Sequence, residues 1–272
     1  MKLVLDGTTV LLTGASSGIG RELALLLAPQ VARIGLVARR EEKLRALADE
    51  LKQKNPQLTV DVLPCDLARL DETARLAERV ERELGPVDVL INNAGVGDFT
   101  VFDRADWQRT HEMMVLDVES LLLLTRRLLP SMVARGRGGI LNVSSVYGVA
   151  VTPAFAVYCG AKHFVTAFTE ALRMDLTGTG VVVSQLLPGP VQSEFAGRVG
   201  YGEGGDITPS WAYQSARACA RAALRGFIRG KPRIVPGLIA KILYFSSLWS
   251  PRFVQRLVMA PFGRRARKRL AA

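Results

Sequence analysis

Tyr158 and Lys162 stand four residues apart in Tyr158-Cys159-Gly160-Ala161-Lys162, and Ser145 lies thirteen positions before the tyrosine in Asn142-Val143-Ser144-Ser145. Residues i and i+4 of a helix share a face, so a helix here aims the phenol and the ammonium into one site. A cation beside a phenol favours the phenolate. A tyrosine titrates near about 10, so acid–base work near neutral pH asks for about 3–4 kcal/mol of differential stabilisation, which an ammonium at low effective dielectric supplies. A phenol tuned in this way can give or take a proton. Alone, Tyr-x-x-x-Lys is an ordinary surface-helix pattern. It gains meaning from a second feature at the other end of the chain.

That feature is a glycine loop between a strand and a helix. Thr8-Thr9-Val10-Leu11-Leu12 is an apolar, β-branched run that reads as a buried strand. Thr13-Gly14-Ala15-Ser16-Ser17-Gly18-Ile19-Gly20 follows, and Arg21 to Ala28 has helix-forming composition. Strand, glycine turn and helix together aim free backbone N–H groups and a helix dipole at a phosphate. Gly14 permits the tight turn, Gly18 lets the backbone approach a pyrophosphate, and Gly20 lets the helix pack close. The spacing is G-x-x-x-G-x-G rather than G-x-G-x-x-G. An ordinary Gly/Ser loop is the bland alternative, and the flanking strand and helix argue against it.

The elements that must position these residues alternate along the chain. Candidate strands fall at 8–12, 34–38, 58–63, 87–92, 139–144, 181–187 and, briefly, 233–235, with helical stretches at 18–28, 40–54, 70–84, 110–135 and 155–177. Such alternation predicts an α/β fold: a Rossmann-type, doubly wound parallel sheet of about seven strands in an α/β/α sandwich, with ligands at the carboxyl ends of the strands. A length of 272 residues suits one domain over 1–235 with a basic, apolar helical extension over 236–272.

Taken in order, the motifs resemble those of the short-chain dehydrogenase/reductase family, in its oxidoreductase branch of roughly 250 residues. The matching pieces are Thr13 to Gly20, Asp66-Leu67, Asn92-Asn93-Ala94-Gly95, Ser145, Tyr158 with Lys162, and Pro188-Gly189. The resemblance covers about residues 5 to 195. It implies that Tyr158 donates a proton to a carbonyl as hydride arrives from a nicotinamide, that Lys162 lowers the tyrosine pKa and binds the nicotinamide ribose, and that Ser145 polarises the carbonyl. Asp66 and Leu67 would frame the adenine, Asn93 to Gly95 would line the adenosine side, and Val191 and Ser193 would hold the nicotinamide amide. Ser16, Ser17 and Ile19 belong to the same phosphate loop. The family usually has an asparagine on its long central helix; here the matching position in Val115-Leu116-Asp117-Val118 is Asp117. A carboxylate can hold a water there but cannot donate as an amide does, and its charge favours protonated Lys162 while opposing the phenolate.

The second strand chooses the cofactor. Ile34-Gly35-Leu36-Val37-Ala38 ends in Arg39-Arg40, without the acid that would bind a ribose 2′-hydroxyl. A guanidinium fork matches a phosphate, so NADP(H) is expected, with Arg39 as principal ligand and Arg40 in support. The segment from Gly189 to Thr208 occupies the position of the family's substrate cover, where Phe195 and Tyr201, with Trp211 just beyond, offer apolar contacts to a lipophilic carbonyl such as a 3-oxoacyl chain or a bulky ketone.

Charge is unevenly placed. The net charge is +11, yet residues 207–272 hold 14 Lys+Arg and no acid, so the chain before them is at −3. The apolar runs 238–245 and 253–259 flank Ser250-Pro251, and the basic cluster 264–269 follows. Neither run reaches the ~20 residues a bilayer span needs. Two short amphipathic helices with a basic end suit peripheral contact with an anionic membrane; a lid over the pocket or an oligomer contact competes with that reading. No recognition module for nucleic acid accompanies the charge. Cys65, Cys159 and Cys219 are too few and scattered for a zinc site or disulfide framework, and His111 and His163 lack ligand-spaced partners, so no metal is expected. Cys159, beside the tyrosine, offers thiol reagents a target. Free cysteines favour the cytoplasm, with the tail as a route to a membrane surface. The family resemblance implies a homodimer or homotetramer. A non-catalytic NADP-binding, redox-sensing or membrane-recruitment protein is the alternative, supported by Asp117 and the tail and opposed by the intact Ser145, Tyr158 and Lys162.

Overall fold

In the computed structural model, which describes residues 2–199 and 210–270, seven parallel strands form one sheet. The first six are β1 (Thr9–Thr13), β2 (Arg33–Ala38), β3 (Thr59–Pro64), β4 (Val89–Asn92), β5 (Gly138–Val143) and β6 (Val181–Leu186). Beyond them, β7 (Val191–Gln192) and β8 (Gln214–Ser215) make a separate two-stranded ladder, and β9 (Arg233–Ile234) closes the main sheet. The main order is β3-β2-β1-β4-β5-β6-β9, the doubly wound sheet expected from the alternation. Its strands begin and end within one or two residues of the sequence reading.

Pleating sorts the strand residues into two cores, because neighbouring side chains leave opposite faces. Val10, Leu12, Ile34 and Leu36 pack on one face with Leu23, Leu44 and Phe227. These come from α1 (Gly18–Leu27), α2 (Glu41–Lys54) and α8 (Ala216–Ile228). Leu11, Val37, Leu90 and Ile140 pack on the other face with Val80, Leu124 and Leu172. Those belong to α3 (Leu70–Glu83), α5 (Ser120–Ala134) and α6 (Ala156–Asp175). Each such buried aliphatic side chain contributes about 1.5–3 kcal/mol. Helix α8 was not among the stretches read from sequence. It starts at Ser215, whose hydroxyl accepts from the Ala218 N–H as an N-cap.

Two helical regions depart from the simple periodic reading. The stretch expected as one helix over 110–135 is α4 (Trp107–Met114), a π-helical turn over Val115–Glu119, and α5. Asp117 lies within that turn. The C-terminal segment forms α9 (Leu238–Trp249) and α10 (Arg252–Arg269). The basic cluster is therefore inside α10 rather than a tail beyond it, and the helix runs through Pro261. A short helix α7 (Glu194–Arg198) follows β7.

Candidate active site

Winding runs one way from β1 to β2 and β3 and the other way from β4 onward, so a crevice opens between the carboxyl ends of β1 and β4. A cavity of about 300 Å³ occupies it, lined by the glycine loop, the ends of β2, β4, β5 and β6, and α6. Gly14 holds a positive φ of 66°, and a Cβ there would lie 2.7 Å from Asn93 Nδ2. Asn93 itself fastens the loop: its Nδ2 donates to Thr13 O at 2.9 Å and to Gly14 O at 3.2 Å. The Thr13 hydroxyl in turn accepts from the N–H groups of Asn93 and Ala94, each at 3.0 Å. Asn93 thus reaches the cavity wall mainly as a brace for the loop. Its partner Asn92 is buried beneath, donating to Asn142 Oδ1 at 2.9 Å.

The residues assigned to chemistry converge from three elements. Ser145 ends the loop after β5 and is buried, and its Oγ accepts from the Tyr147 N–H at 3.2 Å. Tyr158 and Lys162 lie one turn apart on α6 and are also buried, with the ammonium 5.7 Å from the phenol ring centroid. The Ser145 side chain is near enough to Tyr158 to favour its phenolate. Ser144 faces the other way: its hydroxyl donates to Lys162 O at 3.0 Å and meets Thr166 Oγ1 at 2.7 Å, which pins α6 to β5.

Asp117 approaches from the π-helical turn. Its carboxylate pairs with Lys162 at 2.8 Å, with side chains only 0% and 5% exposed, and its Oδ1 accepts from the Val96 N–H at 2.8 Å. Gly95 admits the pair, since a Cβ there would lie 3.1 Å from Lys162 Nζ. Burial pushes the Asp117 carboxyl above its ordinary value, and the Lys162 charge and hydrogen bond oppose that shift. Burial likewise raises the Tyr158 phenol; the Asp117 charge adds to the rise, and the Ser145 hydrogen bond works against it. With its ammonium matched by a carboxylate, Lys162 acts on Tyr158 as one end of an ion pair rather than as a lone cation.

At the other end of the cavity, Arg39 is 58% exposed and lies 4.0 Å from Asp66 Oδ2. Arg40 is held by Glu194 at 2.7 Å and donates to Ser16 Oγ at 3.1 Å, while Lys43 meets the same carboxylate at 2.6 Å. Those contacts, from Lys43 first and then Arg40, lower the Glu194 pKa to about 2. Lys43 and Glu194 were not foreseen, because only the fold brings residue 194 beside the second strand. Ser16, Ser17, Gly18, Ile19, Asp66, Leu67, Ala94, Gly95, Pro188, Gly189, Val191 and Ser193 all lie on the cavity wall. Gly20 sits beneath the loop, where a Cβ would fall 2.5 Å from Asn93 Nδ2. The wall therefore suits an elongated dinucleotide: a glycine loop midway, cations at one end, and Tyr158 at the other.

Aromatic rings surround the phenol. Phe155 and Phe195 have centroids 5.5 and 5.9 Å from that of Tyr158, and Tyr147 lies at 6.3 Å. Tyr147, Phe155, Tyr213 and Leu243 also line the cavity and were missed in the sequence, where nothing local marks them. Trp211, by contrast, is 74% exposed. Tyr201 falls outside the described residues. Cys159 is buried and burial raises its thiol pKa, so it presents little thiolate to a reagent despite its position. His163 Nδ1 contacts Cys159 O at 2.8 Å, and no metal-binding cluster occurs among the described residues.

Comparison with known proteins adds a family. The family model described as short chain dehydrogenase matches residues 8–203. A short chain dehydrogenase of Pseudocercospora fijiensis is 37% identical over 196 residues, which span 70% of this chain and 62% of that relative. A short-chain dehydrogenase from Sphingobium yanoikuyae, solved in complex with NADPH, is 30% identical with a TM-score of 0.80, covering 93% of this chain and 95% of that one. A bulky-bulky ketone specific alcohol dehydrogenase from Comamonas testosteroni is 26% identical with a TM-score of 0.75, covering 95% and 93%.

Proposed function

Since the chain belongs to the short-chain dehydrogenase family, we propose that it is an NADP(H)-dependent oxidoreductase that reduces a lipophilic ketone or 3-oxoacyl group to a secondary alcohol. The single observation that carries this reading is the buried Ser145–Tyr158–Lys162–Asp117 cluster, with an arginine pair at the far end of the same cavity. When bound, the nicotinamide supplies the hydride. Ser145 and Tyr158 would then share the substrate oxygen, with Tyr158 donating the proton that completes the alcohol. The raised Tyr158 pKa keeps that proton in place across neutral pH, which suits reduction; oxidation would need the phenolate that Asp117 opposes.

Arg39, exposed and weakly paired, is the natural ligand for a 2′-phosphate, and Arg40 would join it by exchanging Glu194 for the phosphate. The NADPH complex of the Sphingobium relative supports this choice. The lipophilic substrate is supported by the ring wall of Tyr147, Phe155 and Phe195 around the phenol, and by the bulky-ketone relative. Exposed Phe164 on α6 and Trp107 on α4 leave apolar surface that a homo-oligomer would cover, and the C-terminal helices suit peripheral membrane contact. Non-catalytic cofactor binding gains no support, because every group the proton transfer needs stands together.

The test is NADPH oxidation followed at 340 nm (the nicotinamide absorbance) with bulky ketones and 3-oxoacyl esters. Tyr158→Phe should lower kcat by about 10²–10⁴-fold while NADPH affinity stays within about twofold. Unchanged turnover in that variant would remove Tyr158 from the mechanism.

A further inference from the structure

Helix α9 has two unlike faces. Ala240 and Tyr244 are buried; the Tyr244 hydroxyl accepts from Arg233 Nη1 at 2.9 Å, and Ala240 sits against Gly189, whose added Cβ would lie 3.0 Å from the alanine Cβ. Leu243, between them, lines the cavity. Leu238, Ile242, Phe245 and Trp249 follow the spacing i, i+4, i+7, i+11, which traces one stripe along a helix. That stripe is left in solvent, with exposures of 72%, 54%, 54% and 84%. After Ser250 and Pro251, α10 continues the pattern with Phe253 at 68% and Leu257 at 75%.

These helices are fastened to the body rather than hanging from it. Arg267 pairs with Asp103 at 2.8 Å, Arg104 Nη1 donates to Leu270 O at 2.7 Å, and Ala266 is buried. Their exposed apolar side chains are thus held in fixed positions, and a contiguous exposed apolar patch marks an interaction site. Charge narrows the partner. Residues 238–269 contain eight Lys+Arg and no acid. A twofold contact of this face with itself would bring together two helix pairs that carry cations and no acid. A plain apolar partner would leave the cations without a role.

We propose that the α9–α10 face seats on an anionic lipid bilayer and joins it to the catalytic cavity. Apolar side chains would enter the boundary between headgroups and acyl chains while the basic residues meet anionic headgroups. Trp249, at the turn between the helices, suits that interface. No described helix is long and apolar enough to cross a membrane, so the contact is peripheral. Leu243 faces the cavity while its near neighbours Ile242 and Phe245 face outward, so a single helix separates the bilayer from the Tyr158 site. A lipophilic carbonyl would pass along α9 without crossing bulk water. This delivery step rests on the carbonyl-reductase reading; the docking does not.

The experiment is co-sedimentation of the full chain with phosphatidylcholine vesicles, with or without about 30% phosphatidylglycerol. At least about tenfold tighter binding to the anionic vesicles is expected, weakening as salt rises. Trp249→Glu with Phe253→Glu should lower that binding by about tenfold or more and leave NADPH affinity unchanged, which shows that the fold is retained. Equal binding to both vesicle types, no binding, or binding indifferent to the two substitutions would overturn the docking. So would loss of a dimer in solution on making them, since that would assign the face to a second copy. KM for a long-chain ketone delivered in vesicles, measured against a water-soluble ketone, tests delivery. No turnover on any carbonyl would end the reductase reading and leave the vesicle result standing.

Discussion

Two carboxylate–cation contacts stand at opposite ends of one cavity, and their surroundings make them different devices. Lys162 and Asp117 meet at 2.8 Å with almost no exposure, whereas Arg40 and Glu194 meet at 2.7 Å with side chains 29% and 40% exposed. The distances nearly match; the burial does not. In the buried pair neither charge can turn to water, so removing one strands the other and shifts the chemistry of Tyr158. In the exposed pair water and salt can replace either partner, so a cofactor phosphate can do so too. One end of the cavity holds a fixed, buried pair. The other holds an exposed, exchangeable one.

The comparison breaks most sharply if the buried cation is removed. Lys162→Met should abolish measurable turnover and destabilise the fold by about 3–5 kcal/mol, because Asp117 is left buried without its partner. Asp117→Asn added to that variant should recover much of the stability by thermal melting and none of the activity. If the single variant melts normally, Asp117 does not depend on Lys162 for its place in the core. At the exposed end, Arg39→Ala should weaken NADPH by about 10–100-fold, the value of one charge-assisted contact, with little effect on NADH. Equal losses for both cofactors would dissociate Arg39 from the 2′-phosphate.

Finer changes test the electrostatics. Burial and the Asp117 charge both raise the Tyr158 pKa, so its phenolate forms only as pH rises well beyond neutral. Asp117→Asn removes the second cause, and the rise of alcohol oxidation with pH should move down by about one pH unit, roughly tenfold in rate at a fixed pH on the rising limb. A superimposable profile would reduce Asp117 to a spacer. Glu194→Gln should have the smallest effect: NADPH affinity rising by a few-fold at low salt, converging with the parent at high salt. Because Lys43 and Arg40 hold the Glu194 pKa near 2, that carboxylate stays charged throughout the working range, and its effect should not vary between pH 5 and 8.

Local sequence carried much of this molecule. The strand runs, the glycine loop and the Tyr158–Lys162 spacing depend on residues within one or two turns of each other, where chain geometry dictates which side chains share a face. That is why the sheet, its seven strands and the position of Ser145 relative to Ser144 could be read directly. The π-helical turn escaped because one added residue in a helix alters no composition signal, although it delivers Asp117 to Lys162. Helix α8 escaped for a different reason: its buried stripe, Cys219, Ala220, Ala223, Leu224 and Phe227, is built largely of small residues set between arginines.

Residue types and short spacings therefore determined the fold class, the glycine loop and the grouping of Ser145, Tyr158 and Lys162. Tertiary structure decided what those charges are worth. Lys162 faces Asp117 from 45 positions away, Glu194 reaches Arg40 across 154, and Leu243 closes the cavity from the last fifth of the chain. Burial and partner identity at such separations are set by packing, and a charge takes its pKa and its exchangeability from both.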